Sequence, residues 1–528
     1  MAEPHPAAVL TYVADDAFEP PALAGLLPPN GATALPGAVS EGEVARHRLD
    51  ATYFDTADLR LAATGVTLRR RTGGDDAGWQ LTAPGRGDAH PVLRLPPGRV
   101  PPGRTPRAVP DQLLAMVWAQ TVGAPLEPVA RVTTERTVRR LTDVTGRVLV
   151  ELADDRVTAR RLRQGNGAGP VVGAAATWRE IGVALPGDED GIRAGIDAGL
   201  RGEGRLDPAA GPQLTRVLDG EVPRPPRAAG PALTVRSPSG AVLQAHLRVQ
   251  VGQVRAQDLP VRLDQPDSVH RMRVATRRLR SALQTFERLV DPAVVRPLRD
   301  ELKWLAAELG AARDAEVMRD RVATAVAGQR DEAGVRAGGD AVGFQLTAAY
   351  RAAHDRVLAD LDGDRYRELL GRLVALVERP PFRRRARKPA GTLLPSLVAR
   401  SFTRVERLVA EADELPAGAD RDEVLHEARK AAKQARYAGE AVAPVFGKDA
   451  TAFAAALEGV QEALGEHQDS IVTRERLHEL AVHASSTEVA FLYGRLHALE
   501  EACAGETRQR FDTAWKAAGR GKLHRWLA

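Results

Sequence analysis

Two stretches of this chain carry basic side chains at the same four offsets. The first runs His270-Arg271-Met272-Arg273-Val274-Ala275-Thr276-Arg277-Arg278-Leu279-Arg280. The second runs His426-Glu427-Ala428-Arg429-Lys430-Ala431-Ala432-Lys433-Gln434-Ala435-Arg436-Tyr437. His270, Arg273, Arg277 and Arg280 stand at i, i+3, i+7 and i+10, and His426, Arg429, Lys433 and Arg436 repeat that spacing. On an α-helix these offsets fall along one face over roughly 15 Å. Like charges in such a row oppose helix formation, and no acid stands between His270 and Arg280 to relieve them. A linear polyanion lying along both rows would supply the missing compensation. The competing reading is a solvated charged face enriched by an arginine-rich composition. The two histidines could serve as metal ligands or acid–base groups, but each sits among arginines without a carboxylate at ligand spacing. Anion binding or helix packing therefore fits them better than catalysis.

The elements that position these rows repeat as well. Leu309-Gly310-Ala311-Ala312-Arg313-Asp314 matches Leu464-Gly465-Glu466-His467-Gln468-Asp469, so the period fits a helix, a turn and a second helix. Long Ala-, Leu-, Arg- and Glu-rich segments with helical periodicity fill this half of the chain, with breaks expected at Gly328–Gly339 and Pro380–Pro395. Further basic residues lie nearby. Arg400, Arg404 and Arg407 are spaced i, i+4 and i+7, and Lys303 precedes Trp304. The run Arg383-Arg384-Arg385, with Arg387 and Lys388, follows two prolines and reads as a solvated loop.

The paired His-x-x-Arg motif resembles the CHAD family, over roughly residues 236–525. That resemblance implies two four-helix halves related by pseudo-symmetry, with polyphosphate bound in a basic groove between them. The implied ligand residues are His270, Arg273, Arg277 and Arg280, then His426, Arg429, Lys433 and Arg436. Lys303, Arg400 and Arg404 join them as further candidates.

Residues 1–220 have another character, with short alternating segments broken by Gly and Pro. Val66 to Arg71, Trp79 to Thr82, Val148 to Leu152 and Trp178 to Val183 read as strands, and Asp111 to Thr121 as a helix. A Pro- and Arg-rich stretch places a linker at 221–235. Arg71-Thr72-Gly73-Gly74 lacks the P-loop pattern and reads as a hairpin turn.

The segment Asp50-Ala51-Thr52-Tyr53-Phe54-Asp55-Thr56, with Leu68-Arg69-Arg70-Arg71, resembles the CYTH family of triphosphate tunnel metalloenzymes. That family's fold is a closed antiparallel barrel holding a triphosphate and divalent metal. The resemblance implies that Arg69, Arg71 and Arg136 are anion-binding residues facing the tunnel. It also implies carboxylates for the metal, and these are depleted. The family's opening Glu-x-Glu-x-Lys positions fall on Ala7, Val9 and Thr11, the late alternating acids on Glu180, Gly182 and Ala184, and an expected lysine on Thr82. Glu151, Asp154 and Asp155 do not supply an obvious two-metal site. No catalytic or metal-binding residue is assigned, and magnesium or manganese enters only if the barrel is active.

Composition sets the outer bounds. A chain of 528 residues exceeds what one hydrophobic core usually serves. The expected fold class is α+β, with an N-terminal tunnel-type β-barrel followed by an all-α duplicated helical bundle. The net charge of +5 is small, so the distribution of charge carries the argument rather than its total. A single cysteine, Cys503, excludes an intramolecular disulfide framework. No apolar run reaches a membrane-spanning length, and the N-terminus lacks a secretory h-region. The expectation is a cytoplasmic protein, at polyphosphate granules, without a membrane partner. Inorganic polyphosphate is the expected ligand. A metal-dependent triphosphatase or polyphosphatase is the alternative. A nucleic-acid binder is disfavoured by 4% aromatic content and the lack of a stacking platform.

Overall fold

The computed structural model describes residues 8–23, 39–74, 76–85, 91–97, 108–165, 169–185, 190–201, 206–208, 213–218, 232–327, 333–416, 418–484, 486–504 and 507–527. The chain divides into two compact units, Met1–Arg227 and Ala228–Ala528. Most of the expected linker lies outside the described residues.

The first unit contains β1 (Ala8–Ala14), β2 (Ser40–Glu41), β3 (Ala45–Asp55), α1 (Arg60–Ala63), β4 (Thr67–Thr72), β5 (Gly78–Thr82), β6 (Val92–Leu95), α2 (Asp111–Thr121), β7 (Glu127–Thr142), β8 (Val148–Gly165), β9 (Gly169–Leu185), α3 (Asp190–Arg201), β10 (Asp207–Pro208) and α4 (Gln213–Val217). The strands form one antiparallel sheet in the order β10-β1-β9-β8-β7-β3-β4-β5-β6, with β2 beside β7. The expected barrel is closed; the pairing among the described residues leaves the sheet open, with β6 and β10 at its two ends. Gly73 and Gly74 make the β4–β5 turn at φ 81° and 74°, and a Cβ on Gly73 would meet the Arg48 carbonyl oxygen.

Side chains alternate across a strand, so register decides which residues share a face. Tyr53 stands opposite Arg69, Arg69 opposite Gln80, Arg136 opposite Asp155, and Asp155 opposite Glu180. All lie on one face. Around Tyr12, Leu152, Ile181 and Val183 the other face is covered by Ile196 and Leu200 of α3. The polar face is filled in turn. Leu214 and Val217 of α4, with Leu218, pack against Ala51, Tyr53, Val132, Val157 and Ala159. Asp55, from the sequence motif, is fully buried and accepts bonds from the Thr56, Leu61 and Ala62 amides, which orders α1.

The second unit is helical: α5 (Ser239–Arg262), α6 (Ser268–Thr285), α7 (Pro292–Ala327), α8 (Ala333–Asp362), α9 (Asp364–Glu378), α10 (Ala390–Glu414), α11 (Ala419–Phe446), α12 (Lys448–Val482), α13 (Thr487–Ala504) and α14 (Thr507–Ala518). Gly339 and Pro395, expected in breaks, are carried inside α8 and α10. The two motif helices, α6 and α11, bury matching faces. Val269, Met272, Ala275, Thr276 and Leu279 are buried on α6, and Ala428, Ala431, Ala432 and Ala435 on α11. That burial leaves the basic row of each helix on the remaining surface.

Candidate functional site

The helices α6 and α11 run antiparallel against one another. Arg278 of α6 pairs with Glu440 at 2.8 Å and lies over the Tyr437 ring, while Gln434 reaches Thr285 at 3.3 Å. Arg273, Arg277 and Arg280 are half-buried on α6, as are Arg429 and Lys433 on α11. Arg277 links the rows electrostatically. Burial holds its guanidinium below the ordinary arginine value, with Tyr437 opposing and Arg273, Arg280 and Arg429 adding to the effect. Neither Arg277 nor Arg280 makes a hydrogen bond or ion pair among the described residues. Burial and Arg299 lower the Arg280 pKa. Among the described residues, Arg273 has only Asp314 as an ion-pair partner, at 3.9 Å. Such crowding without counter-charge costs stability unless an anion arrives.

The repeated Leu-Gly pair lies beside the rows. A Cβ on Gly310 would stand 3.5 Å from Arg273 Nε, and one on Gly465 would stand 3.0 Å from an Arg429 terminal nitrogen. Each glycine lies against the second member of its row; at Gly465 a Cβ would crowd the Arg429 guanidinium, whereas at Gly310 it would only touch Arg273.

Not every predicted residue joins the rows. Arg436 turns to Glu458 at 2.6 Å, Glu440 at 2.8 Å and Gln461 at 3.4 Å, so it is already neutralised. Lys303 is exposed on α7 and makes no hydrogen bond or ion pair among the described residues. His270 lies near Arg313, Asp267, Arg273 and Glu316, and burial with Arg313 lowers its pKa. His426 is lowered by burial, then by Lys430, Arg429 and Lys433, with Glu427 opposing.

Arg400 and Arg404 line a separate pocket of about 480 Å³ between the C-terminal end of α6 and helices α7, α10 and α11. Arg288, Arg296 and Arg383 share it, and the sequence reading assigned no role to the first two. The Arg383 run also differs from the solvated loop expected. Its 3-10 turn at Arg384–Arg387 is fixed at both ends. Arg383 donates its amide to the Leu289 carbonyl, and the Lys388 carbonyl accepts from the Ser239 amide and hydroxyl.

On the sheet, the basic residues are brought together and paired internally. Arg69 donates to Gln80 at 2.9 Å and to the Tyr53 hydroxyl at 3.0 Å. Arg71 pairs with Asp76, and Arg136 holds Asp155 through two bonds of 2.8 and 2.7 Å. Burial, reinforced by Arg69 and Arg136, pushes the Arg71 pKa down to about 10 against the pull of Asp76. Burial works against the charge of Arg136, but Asp155 outweighs it and raises that pKa.

The donor set does not fit a divalent cation. Ala7 lies outside the described residues. Val9 pairs in register with Ala184, Thr11 with Gly182 and Val13 with Glu180, so neutral residues meet where alternating acids would be needed. Glu180 itself accepts from Trp178 at 2.7 Å, Gln213 at 2.7 Å and Arg216 at 2.8 Å. Glu151 is held by Arg140 and Asp154 by Arg179. Among the described residues, no group of three His, Cys, Asp or Glu side chains could hold a metal ion. The contribution of Gln213 and Arg216 was not legible in the sequence, where nothing marks a five-residue helix as a partner for Glu180.

The CYTH domain family matches residues 30–162, and the CHAD domain family matches residues 245–478. "Uncharacterized protein Rv2226" and "Uncharacterized protein MT2285", from two Mycobacterium tuberculosis strains, are each 34% identical over 486 residues. Those alignments cover 88% of this chain and 89% of each relative. Among solved structures, PptA from Streptomyces chartreusis is 24% identical, with 53% of this chain and all of that chain covered at a TM-score of 0.45. The CHAD domain from the plant Ricinus communis is 26% identical, with 56% and 96% covered at a TM-score of 0.42.

Proposed function

The chain belongs to the proteins that join a CYTH domain to a CHAD domain, and from that premise we propose that it binds inorganic polyphosphate through the basic rows of α6 and α11. Domains of these two families are linked to binding or hydrolysis of polyphosphate and triphosphate. The observation that carries the reading is Arg277. It is half-buried, it has arginines of both rows as neighbours, and it makes no ion pair among the described residues. A chain of phosphate oxyanions supplies many modest charge-assisted contacts along such a row. In this reading the CYTH-like sheet does not hydrolyse triphosphate, because its carboxylates are tied to arginines and its metal positions are neutral. The protein would attach to polyphosphate granules or scaffold other components there. No helix among the described residues is long and apolar enough to cross a membrane.

The test is a titration of the full chain with long-chain polyphosphate, with tripolyphosphate and DNA as competitors. Binding should weaken steeply with salt as condensed counterions are released, by analogy with nucleic-acid backbones. Phosphate release from tripolyphosphate should be absent with magnesium or manganese. DNA competing as well as polyphosphate would count against the reading. Turnover that disappears in Glu180→Gln would establish the metalloenzyme alternative.

A further inference from the structure

The duplication is chemically unequal at one position. Gln284 and Glu440 each stand fourteen residues after the histidine of their row. Glu440, in the second half, neutralises Arg436 of its own helix and Arg278 of α6 across from it. In the first half, Gln284 is neutral and lines the 480 Å³ pocket with Arg288, Arg383 and Arg400. Those three arginines make no ion pair among the described residues. Arg296 is held by Glu287 at 2.9 Å, and Arg404 stands 3.8 Å from Glu427. The one carboxylate lining the pocket, Glu287, is shared between Arg296 and Arg299.

The basic turn at the pocket's edge is preorganised. Arg383, Arg384, Arg385, Arg387 and Lys388 are all exposed, yet Ala386 between them is buried. Gly240 of α5 receives that turn closely, since a Cβ there would stand 3.0 Å from the Ala386 methyl and 3.1 Å from the Phe382 ring. Val290 and Phe382 form an antiparallel bridge, as do Pro238 and Pro389. A turn fixed in this way presents its cations without first losing the entropy of a free loop. The pocket also continues from the first row, since Gln284 is one helical turn beyond Arg280 on α6.

We infer that the pocket and the rigid basic turn form a second anion subsite, which grips one end of a polyphosphate chain already lying on the rows. At the matching position of the second half, Glu440 already supplies a negative charge, to Arg278 and Arg436. The subsite makes the protein discriminate between chain lengths. A short chain fills the rows alone, and a long chain reaches both. This rests on the polyphosphate reading of the rows.

The experiment compares long-chain polyphosphate with tripolyphosphate on the full chain. Two variants are used: Arg383→Ala/Arg384→Ala/Arg385→Ala, and Gln284→Glu, which copies the second half's acid into the pocket. Each should lower long-chain affinity by about tenfold, the size of one charge-assisted contact or more. Tripolyphosphate affinity should change by less than about twofold. The salt dependence of long-chain binding should become shallower by roughly 0.7 for each phosphate that is no longer neutralised. Equal losses for both lengths would reduce the turn to general basicity and overturn the subsite. An unchanged long-chain preference in both variants would overturn it as well, with the polyphosphate reading intact. Wild-type protein that binds neither length overturns both.

Discussion

The sheet and the motif helices both gather arginines, but they treat them oppositely. On the sheet, Arg71 and Arg136 are matched by Asp76 and Asp155, Arg69 by Gln80 and Tyr53, and Arg216 of the overlying α4 by Glu180. On the helices, Arg277 and Arg280 have no such partner among the described residues. A group that already has its counter-charge contributes to stability and has little to offer a ligand. A half-buried arginine crowded by its own kind weakens the fold and gains when an anion arrives. The same residue type thus marks a structural network in one unit and, in the function proposed, a binding site in the other, and only the partners distinguish them.

The largest effect should come from breaking the helical side. Arg277→Glu combined with Lys433→Glu removes two contacts and adds repulsion in both rows. Polyphosphate affinity should fall by roughly a hundredfold or more, at about 1.5–3 kcal/mol for each hydrogen bond to a charged group. Retention of affinity in a folded variant would end the groove reading.

A smaller effect, with reversed character, belongs to the sheet. Arg136→Ala strips the buried Asp155 of its partner and should cost about 1–3 kcal/mol of stability. Polyphosphate affinity should stay within about twofold. Denaturant unfolding and a titration on the same sample check both halves. The contrast sharpens with Arg277→Ala, which should lose roughly tenfold in affinity while stability holds or rises, since no partner is orphaned and the repulsion from Arg273, Arg280 and Arg429 is relieved. If that variant is strongly destabilised, Arg277 is a structural residue after all.

Legibility followed the range of the interaction. The rows could be read because helical spacing places i, i+3 and i+7 on one face, and α6 and α11 do bury the opposite one. The CYTH resemblance implied tunnel-facing positions for Arg69 and Glu180, and the strand registers set the two on a common face. Arg436 was misplaced in part needlessly, because Glu440 at i+4 was visible in the sequence. Its second acid, Glu458, comes from the next helix and was not. The rigidity of the Arg383 turn rests on Leu289 and Ser239, distant in sequence, so a loop was the natural expectation. The filling of the sheet face by α4 was hidden for the same reason.

The smallest expected effect is a proton linkage. His270 and His426 both have pKa values held below the ordinary value, first by burial and then by neighbouring cations. A depressed folded pKa means the unfolded chain takes up the proton first. The stability contributed is therefore present above the unfolded histidine value, about 6.5, and is lost as pH falls through that value towards the folded one. A bound polyanion offsets the cationic neighbours and raises both values. Affinity should rise modestly between pH 7.5 and 5.5 while the stability of the free protein declines. Substituting Gln for both histidines should flatten the affinity profile; an unchanged profile would remove them from the site.

The most direct measurement asks which unit the ligand engages. Hydrogen exchange of the full chain, with and without long-chain polyphosphate, reports local stabilisation segment by segment. Slower exchange is predicted in α6 and α11, with strands β4, β7 and β8 unchanged. Protection confined to those strands, with α6 and α11 unaffected, would contradict the account.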